Sequence, residues 1–257
     1  TLGERDLLKR IFKPLYQTPY KNLLASGCSM TYNNSDVHLC SWPYYLRDLA
    51  NFESIRNVAQ AGAGTTHIFN SIINEVEYNE KISPEDTQII VMWSGLTRTD
   101  TISTQDITTP WHNLVTARYN ESTMNDKSNQ LFTYHFNNRF ATLSLFNGPK
   151  GKTPLADLCR AYKRQVSTDA TIYESMLKIK SLKGYLDSKG FNSTFTIMYD
   201  PGEDLKIIDK TIDELDDIPY LLEFATEQKL LEPNDGHPTP DGYLRWTKEH
   251  LIPYLIK

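Results

Sequence analysis

Thr87-Gln88-Ile89-Ile90-Val91-Met92-Trp93 is an unbroken apolar run rich in β-branched side chains, closed by the pair Ser94-Gly95. A strand with one wet face alternates polar and apolar residues. This run does not, so it reads as a strand buried on both faces, the condition of a parallel sheet covered by helices. Working outward, KNLLAS (21–26) stops at Gly27, and SIRNVA (54–59) runs into the Gly-rich turn AGAG (61–64). FNSTFTIMY (191–199) is the fourth such segment, and all three read as strands ending in turns.

Helical spacing fills the gaps. Ser41-Trp42-Pro43 opens a helix with Tyr45, Leu46 and Leu49 on one side and Ser41 as N-cap candidate. From Thr65 to Val76, Ile68, Phe69, Ile72, Ile73 and Val76 share a face. Thr153-Pro154 begins a long helical region ending at Gly190, the acidic stretch 203–218 reads as helical, and 241–256 closes the chain as a helix with Tyr243, Trp246, His250 and Leu251 on one side. The order β-α-β-α-β-(insert)-α-β-α implies a single α/β domain over 1–257 with a parallel central sheet. Residues 99–150 are rich in Thr, Asn and aromatics and show no clear period, so they are expected to form an insertion or lid after the third strand.

The chain has 257 residues, 39% hydrophobic and 23% charged, enough for a sizeable core. A net charge of −5 without a basic block argues against nucleic-acid binding, which needs a positive footprint. No apolar run reaches the roughly 18 residues of a membrane helix, and the first thirty residues lack the apolar core of a signal peptide. Cys28, Cys40 and Cys159 form no CxxC pair, and with His38 they offer no fourth ligand at zinc spacing, so no metal or cofactor is expected.

In an open parallel sheet, ligands bind beyond the carboxyl ends of the strands. Four loops belong there: Gly27-Cys28-Ser29-Met30-Thr31, Gly62-Ala63-Gly64-Thr65, Ser94-Gly95-Leu96-Thr97-Arg98, and Asn234-Asp235-Gly236-His237-Pro238 before the last helix. They supply a hydroxyl, turn N–H groups and a histidine beside a carboxylate, the inventory of nucleophilic acyl transfer. Each has a plainer reading too: Ser29 as a turn serine, His237 as a surface histidine before proline, Gly62 and Gly64 as helix-entry glycines, Asp235 as a turn residue.

Taken together and in this order, the loops resemble the blocks of the SGNH (GDSL-type) hydrolases. SGCSMT (26–31) matches the first block, with Ser29 at the nucleophile position and Cys28 where the family has Asp. NVAQAGAGT (57–65) matches the second, with Gly62 lining the oxyanion hole, and NDGHP (234–238) matches the last, with His237 as base. GCS followed by SWPYYL also resembles a phage-encoded branch. The resemblance implies a three-layer, flavodoxin-like fold and a metal-free serine esterase. Two blocks depart from the pattern. The third lacks its Asn, leaving Thr97 at that position with Arg98 beside it, and the acid lies two residues before His237, at Asp235, with Asn234 at the family's own acid position.

The expected roles follow. Ser29, His237 and Asp235 form the catalytic set; Ser29, Gly62 and Thr97 hold the oxyanion; Arg98, Trp111 and His112 face substrate. The substrate expected is a small-molecule or glycan ester, with O-acetyl groups on carbohydrate foremost. A glycan-binding or virion structural module on the same fold, and acyl transfer to a sugar, are the alternatives.

Overall fold

The computed structural model describes residues 16–32, 41–102, 140–144, 161, 164–209, 211–233 and 236–256. Four parallel strands make the central sheet: β1 (Asn22–Gly27), β2 (Ser54–Asn57), β3 (Thr87–Trp93) and, after a two-stranded excursion, β6 (Asn192–Ile197). Their order is β2-β1-β3-β6, with Ala25 beside both Asn57 and Ile90, and Ile90 beside Thr194. This order is the start of the flavodoxin-like pattern, in which the chain steps to one side of β1 and then to the other. Ligands bind at that point of reversal, outside the carboxyl ends of β1 and β3.

The helices fall into two groups. Helix α1 (Trp42–Leu49) packs with α6 (Pro240–Trp246), while α2 (Thr65–Tyr78) packs with α3 (Thr168–Ser188). Right-handed crossovers from β1 to β2 and from β2 to β3 place α1 and α2 on opposite faces, giving three layers. All of β3 is buried, as its composition implies. Trp93 meets Phe195 edge-on at 5.7 Å in the sheet layer, and Trp42 meets Trp246 at 6.4 Å between α1 and α6. Such pairs add about 0.5–1.5 kcal/mol each beyond their burial. No helix among the described residues is long and apolar enough to cross a membrane.

The segment expected as an insertion contains β4 (Arg98–Ile102) and β5 (Phe140–Ser144), an antiparallel ribbon with Arg98 opposite Ser144. Arg98 therefore belongs to a strand as well as to the loop after β3.

Several helix boundaries differ from the sequence expectation. Ser41 stands at the N-cap of α1 but makes no capping bond; Pro43, which lacks an N–H, occupies the first turn and reduces the need for one. The long helix begins afresh at Thr168, where Ser167 Oγ accepts the N–H of Ala170, so the described helical residues before it belong to a separate segment. Among the described residues of the acidic stretch 203–218, only those in α4 (Gly202–Ile208) are helical. Farther along, Asp216 lies against the outer edge of β6 instead. There the backbone N–H of Asp216 donates to Phe195 O at 2.8 Å, and its carboxylate accepts Phe195 N–H at 2.6 Å and the Tyr254 hydroxyl at 2.6 Å. An unpaired strand edge has stronger claims on this segment than its own helix propensity. Burial, reinforced by the Asp216 carboxylate, pushes the Tyr254 hydroxyl up to about 12. After α5 (Leu221–Glu227), the last helix is interrupted by a π-turn at Thr247–Leu251, closed by Ile252 N–H onto Thr247 O just before Pro253, which has no N–H to donate.

Asp216 thus engages both backbone polar groups of Phe195 at the sheet edge, the N–H through its carboxylate, which also accepts the Tyr254 hydroxyl. Asp216→Ala is expected to lower the unfolding free energy by about 2 kcal/mol, and Asp216→Asn, which keeps an acceptor, by less. Urea midpoints at unchanged slope measure the difference, and equal midpoints for all three proteins would refute the edge-capping role.

Candidate active site

At the carboxyl end of β1 the chain turns within Cys28–Tyr32, the N–H groups of Thr31 and Tyr32 both donating to Cys28 O. Gly27 is obligatory: a β-carbon there would lie 2.2 Å from Thr31 Oγ1 and 2.8 Å from Met92 O. Thr31 Oγ1 in turn accepts the Trp42 indole N–H at 3.1 Å, tying the turn to α1. Cys28 points into the core, fully buried, with Sγ 3.5 Å from Met198 Sδ. That position leaves Cys28 as a packing residue and argues against it as a nucleophile. Ser29, next along, is half-buried at the surface of the turn.

The turn after β2 is organised by side chains reaching backbone. Asn57 Nδ2 donates to Thr31 O at 2.8 Å, and its Oδ1 accepts the N–H of Ala59 at 3.1 Å, so one amide joins the Ser29 turn to the glycine turn. Ala63 N–H returns to Gln60 O, with Gly62 at φ +79°, a conformation that favours glycine. Helix α2 then starts with Gly64 at its N-cap, which has no side chain to satisfy the first N–H groups. Asp100 of β4 does so from outside: Oδ1 accepts Gly64 N–H at 2.8 Å and Oδ2 accepts His67 N–H at 2.7 Å. A β-carbon at Gly64 would come within 2.9 Å of both carboxylate oxygens.

Arg98, two residues before Asp100 and so on the same face of β4, donates from Nη2 to Gly62 O at 2.8 Å. Its own backbone is held at both ends, N–H to Gly95 O and carbonyl from Thr65 Oγ1. Thr97 is buried beside Tyr199. Tyr199 follows β6, lies against Gly95 so closely that a β-carbon there would overlap its hydroxyl, and donates to Asp204 Oδ2 at 3.1 Å. Burial and the Asp204 carboxylate hold the Tyr199 hydroxyl well above the usual phenol range, and burial raises the Asp204 carboxyl.

His237 is half-buried in a tight loop closed by Glu232 N–H to His237 O at 2.7 Å and by the Leu231–Pro238 bridge. The loop feeds α6 through Thr239, whose Oγ1 accepts Gly242 N–H. One turn into α6, the Tyr243 hydroxyl reaches Met30 Sδ at 3.8 Å, beside Ser29. The chain therefore brings the segment that carries His237 to the β1 turn. Among the described residues the Ser29 hydroxyl has no hydrogen-bond partner, so it is not joined to His237 directly. Asp235, Asn234, Trp111 and His112 lie outside the described residues. Asn57, Asp100 and Tyr199 were not singled out from the sequence. Arg98-x-Asp100, charges at strand spacing directly after a loop of interest, was the available signal for one of them.

No family model matches the sequence, and no curated protein matches it. Among solved structures the chain is similar to a protein described as lipolytic, of the G-D-S-L family, from Desulfitobacterium hafniense DCB-2. That match has 9% identity and a TM-score of 0.42, and covers 89% of this chain and 96% of that one. It is also similar to the psychrotrophic esterase EstA from Pseudoalteromonas sp., in a structure inhibited by monoethylphosphonate. Here the identity is 10% and the TM-score 0.45, with 92% of this chain and 100% of that one covered.

His67 gives the site region a pH signature. Its imidazole is fully buried, and burial, opposed by a hydrogen bond with the Val58 backbone, lowers its pKa to about 4. Below the ordinary value of about 6.5 the unfolded chain takes up a proton that the folded chain refuses, so stability falls as pH drops from about 6.5 to about 4. The contribution amounts to about 3 kcal/mol over that window. His67→Gln is expected to show a shallower decline of thermal midpoint between pH 7 and pH 4.5 than the unaltered protein; parallel declines would contradict it.

Proposed function

We propose that the protein is an SGNH-type serine esterase. The observation that carries the reading is the convergence at one sheet edge: a half-buried Ser29 in the β1 turn, a positive-φ Gly62 turn bound to it through Asn57, and the His237-bearing segment packed on Met30. This edge is the reversal point of the sheet, where parallel α/β proteins bind ligands.

In the proposed reaction, Ser29 Oγ attacks the ester carbonyl while the His237 imidazole takes its proton. The same imidazole returns that proton to the departing alkoxide, leaving an acyl group on Ser29. Water, activated by His237, then releases the acid. Asp235 orients the imidazole and offsets its transient charge. The N–H groups of Ser29 and Gly62 hold the oxyanion. Thr97, buried where the family has its Asn, is the third donor proposed. Loss of one donor in such a hole costs about 10²–10³ in turnover, so a hydroxyl that fills the place of the Asn poorly makes a slow enzyme. Trp111, His112 and the remaining Asn- and Thr-rich insertion fit a polar ester, and an O-acetylated carbohydrate is the substrate class proposed.

Thr97 in place of the family's Asn favours a second reading, a glycan-binding module on the same fold with little turnover. One experiment separates the two. A fluorophosphonate is expected to label Ser29, and Ser29→Ala or His237→Ala is expected to reduce hydrolysis of p-nitrophenyl acetate at least about a thousandfold with the thermal midpoint preserved. Hydrolysis that survives in Ser29→Ala would reject the esterase reading. Binding of acetylated oligosaccharide without Ser29-dependent turnover would favour the module.

A further inference from the structure

We infer that Arg98 is a positioning residue that sets the direction of the Gly62 N–H from the base of the inserted ribbon; this rests on the esterase reading. The peptide joining Gly62 to Ala63 has both polar groups bound. Its N–H, that of Ala63, donates to Gln60 O at 3.0 Å, and its carbonyl, that of Gly62, accepts from Arg98 Nη2 at 2.8 Å. A peptide plane gripped at both ends cannot rotate. Gly62 needs such a grip because glycine crosses between positive and negative φ at little cost. Its own N–H belongs to the preceding peptide, so a change of φ at Gly62 re-aims the one donor that this turn offers to an oxyanion.

The guanidinium can hold that peptide because Arg98 is itself immobile. Its N–H and carbonyl are bound to Gly95 and Thr65, and β4 pairs it with Ser144 of β5. Two residues on, Asp100 grips the other end of the same turn through Gly64 and His67. The Gly62–Gly64 turn is thus clamped by a cation at its carbonyl and an anion at its N–H groups, both from one face of β4. Arg98 places a positive charge beside the turn as well, the sign that favours a developing oxyanion. Its contribution reaches substrate through Gly62. A displacement of a catalytic group by about 1 Å costs on the order of 10² in rate, and this sets the scale for losing the grip.

The test compares wild type, Arg98→Met and Arg98→Lys on p-nitrophenyl acetate, together with the rate of fluorophosphonate labelling at Ser29 and the ¹⁵N order parameter of the Gly62 amide. Arg98→Met is expected to lose about 10- to 100-fold in kcat, with KM changed less than about threefold, labelling slowed in parallel and the Gly62 amide more mobile. Arg98→Lys and added methylguanidine each restore part of the rate. A Gly62 amide equally ordered in Arg98→Met overturns the inference, whether or not the wild type is an esterase. Loss of kcat that follows the thermal midpoint alone, without rescue, overturns it too. If the wild type shows no Ser29-dependent turnover, the esterase reading fails and takes the rate effect with it.

Discussion

Burial of β3 on both faces is the constraint on which the rest depends. A strand without a wet face satisfies its backbone only through sheet neighbours, and here those are β1 and β6, both parallel to it. Parallel neighbours require crossovers, and the crossovers supply the helices that cover the two faces. The same geometry sends every central strand's carboxyl end to one edge. Loops distant in sequence, from the Ser29 turn to Tyr199, meet there without any specific device to gather them.

Meeting is not the same as being ordered, and the edge shows how the loops are fixed. Few of the connections are apolar. Thr31 accepts from Trp42, Asn57 spans two turns, Asp100 caps α2, and Arg98 binds the carbonyl of Gly62. The last three satisfy backbone groups of turns and a helix end, where an orphan costs about 1–3 kcal/mol. Gly27 and Gly64 let these side chains come close, since a β-carbon at either would occupy the space of the bonding atoms. The glycines and the polar residues around the edge are one arrangement.

β1, β3 and β6 were legible because burial leaves a compositional trace, and β2 because a glycine turn follows it; these four segments recur within one or two residues. Helix limits were less so. Ser41 has the chemistry of a cap but not the contact, and the acidic segment around Asp216 follows the edge of β6 because a distant strand offers it partners. At the candidate site, Ser29, Gly62 and His237 stood out through their loops, whereas Asp100 gave only a charge at strand spacing. Tyr199 carried no signal, because its importance comes from Gly95 and Thr97, which lie about a hundred residues away in the chain and next to it only in the fold.

By itself the sequence determined the fold class, the strand order along the chain and the loops at the carboxyl edge, since hydrophobic period and glycine placement are local properties of the chain. Only the tertiary structure decided that Tyr199 closes on Gly95, that Cys28 faces the core and that Arg98 and Asp100 share the glycine turn. Those are contacts between groups distant in sequence. A residue's type states what it can bond, but which partner stands within 3 Å is settled when the sheet and its helices close around it.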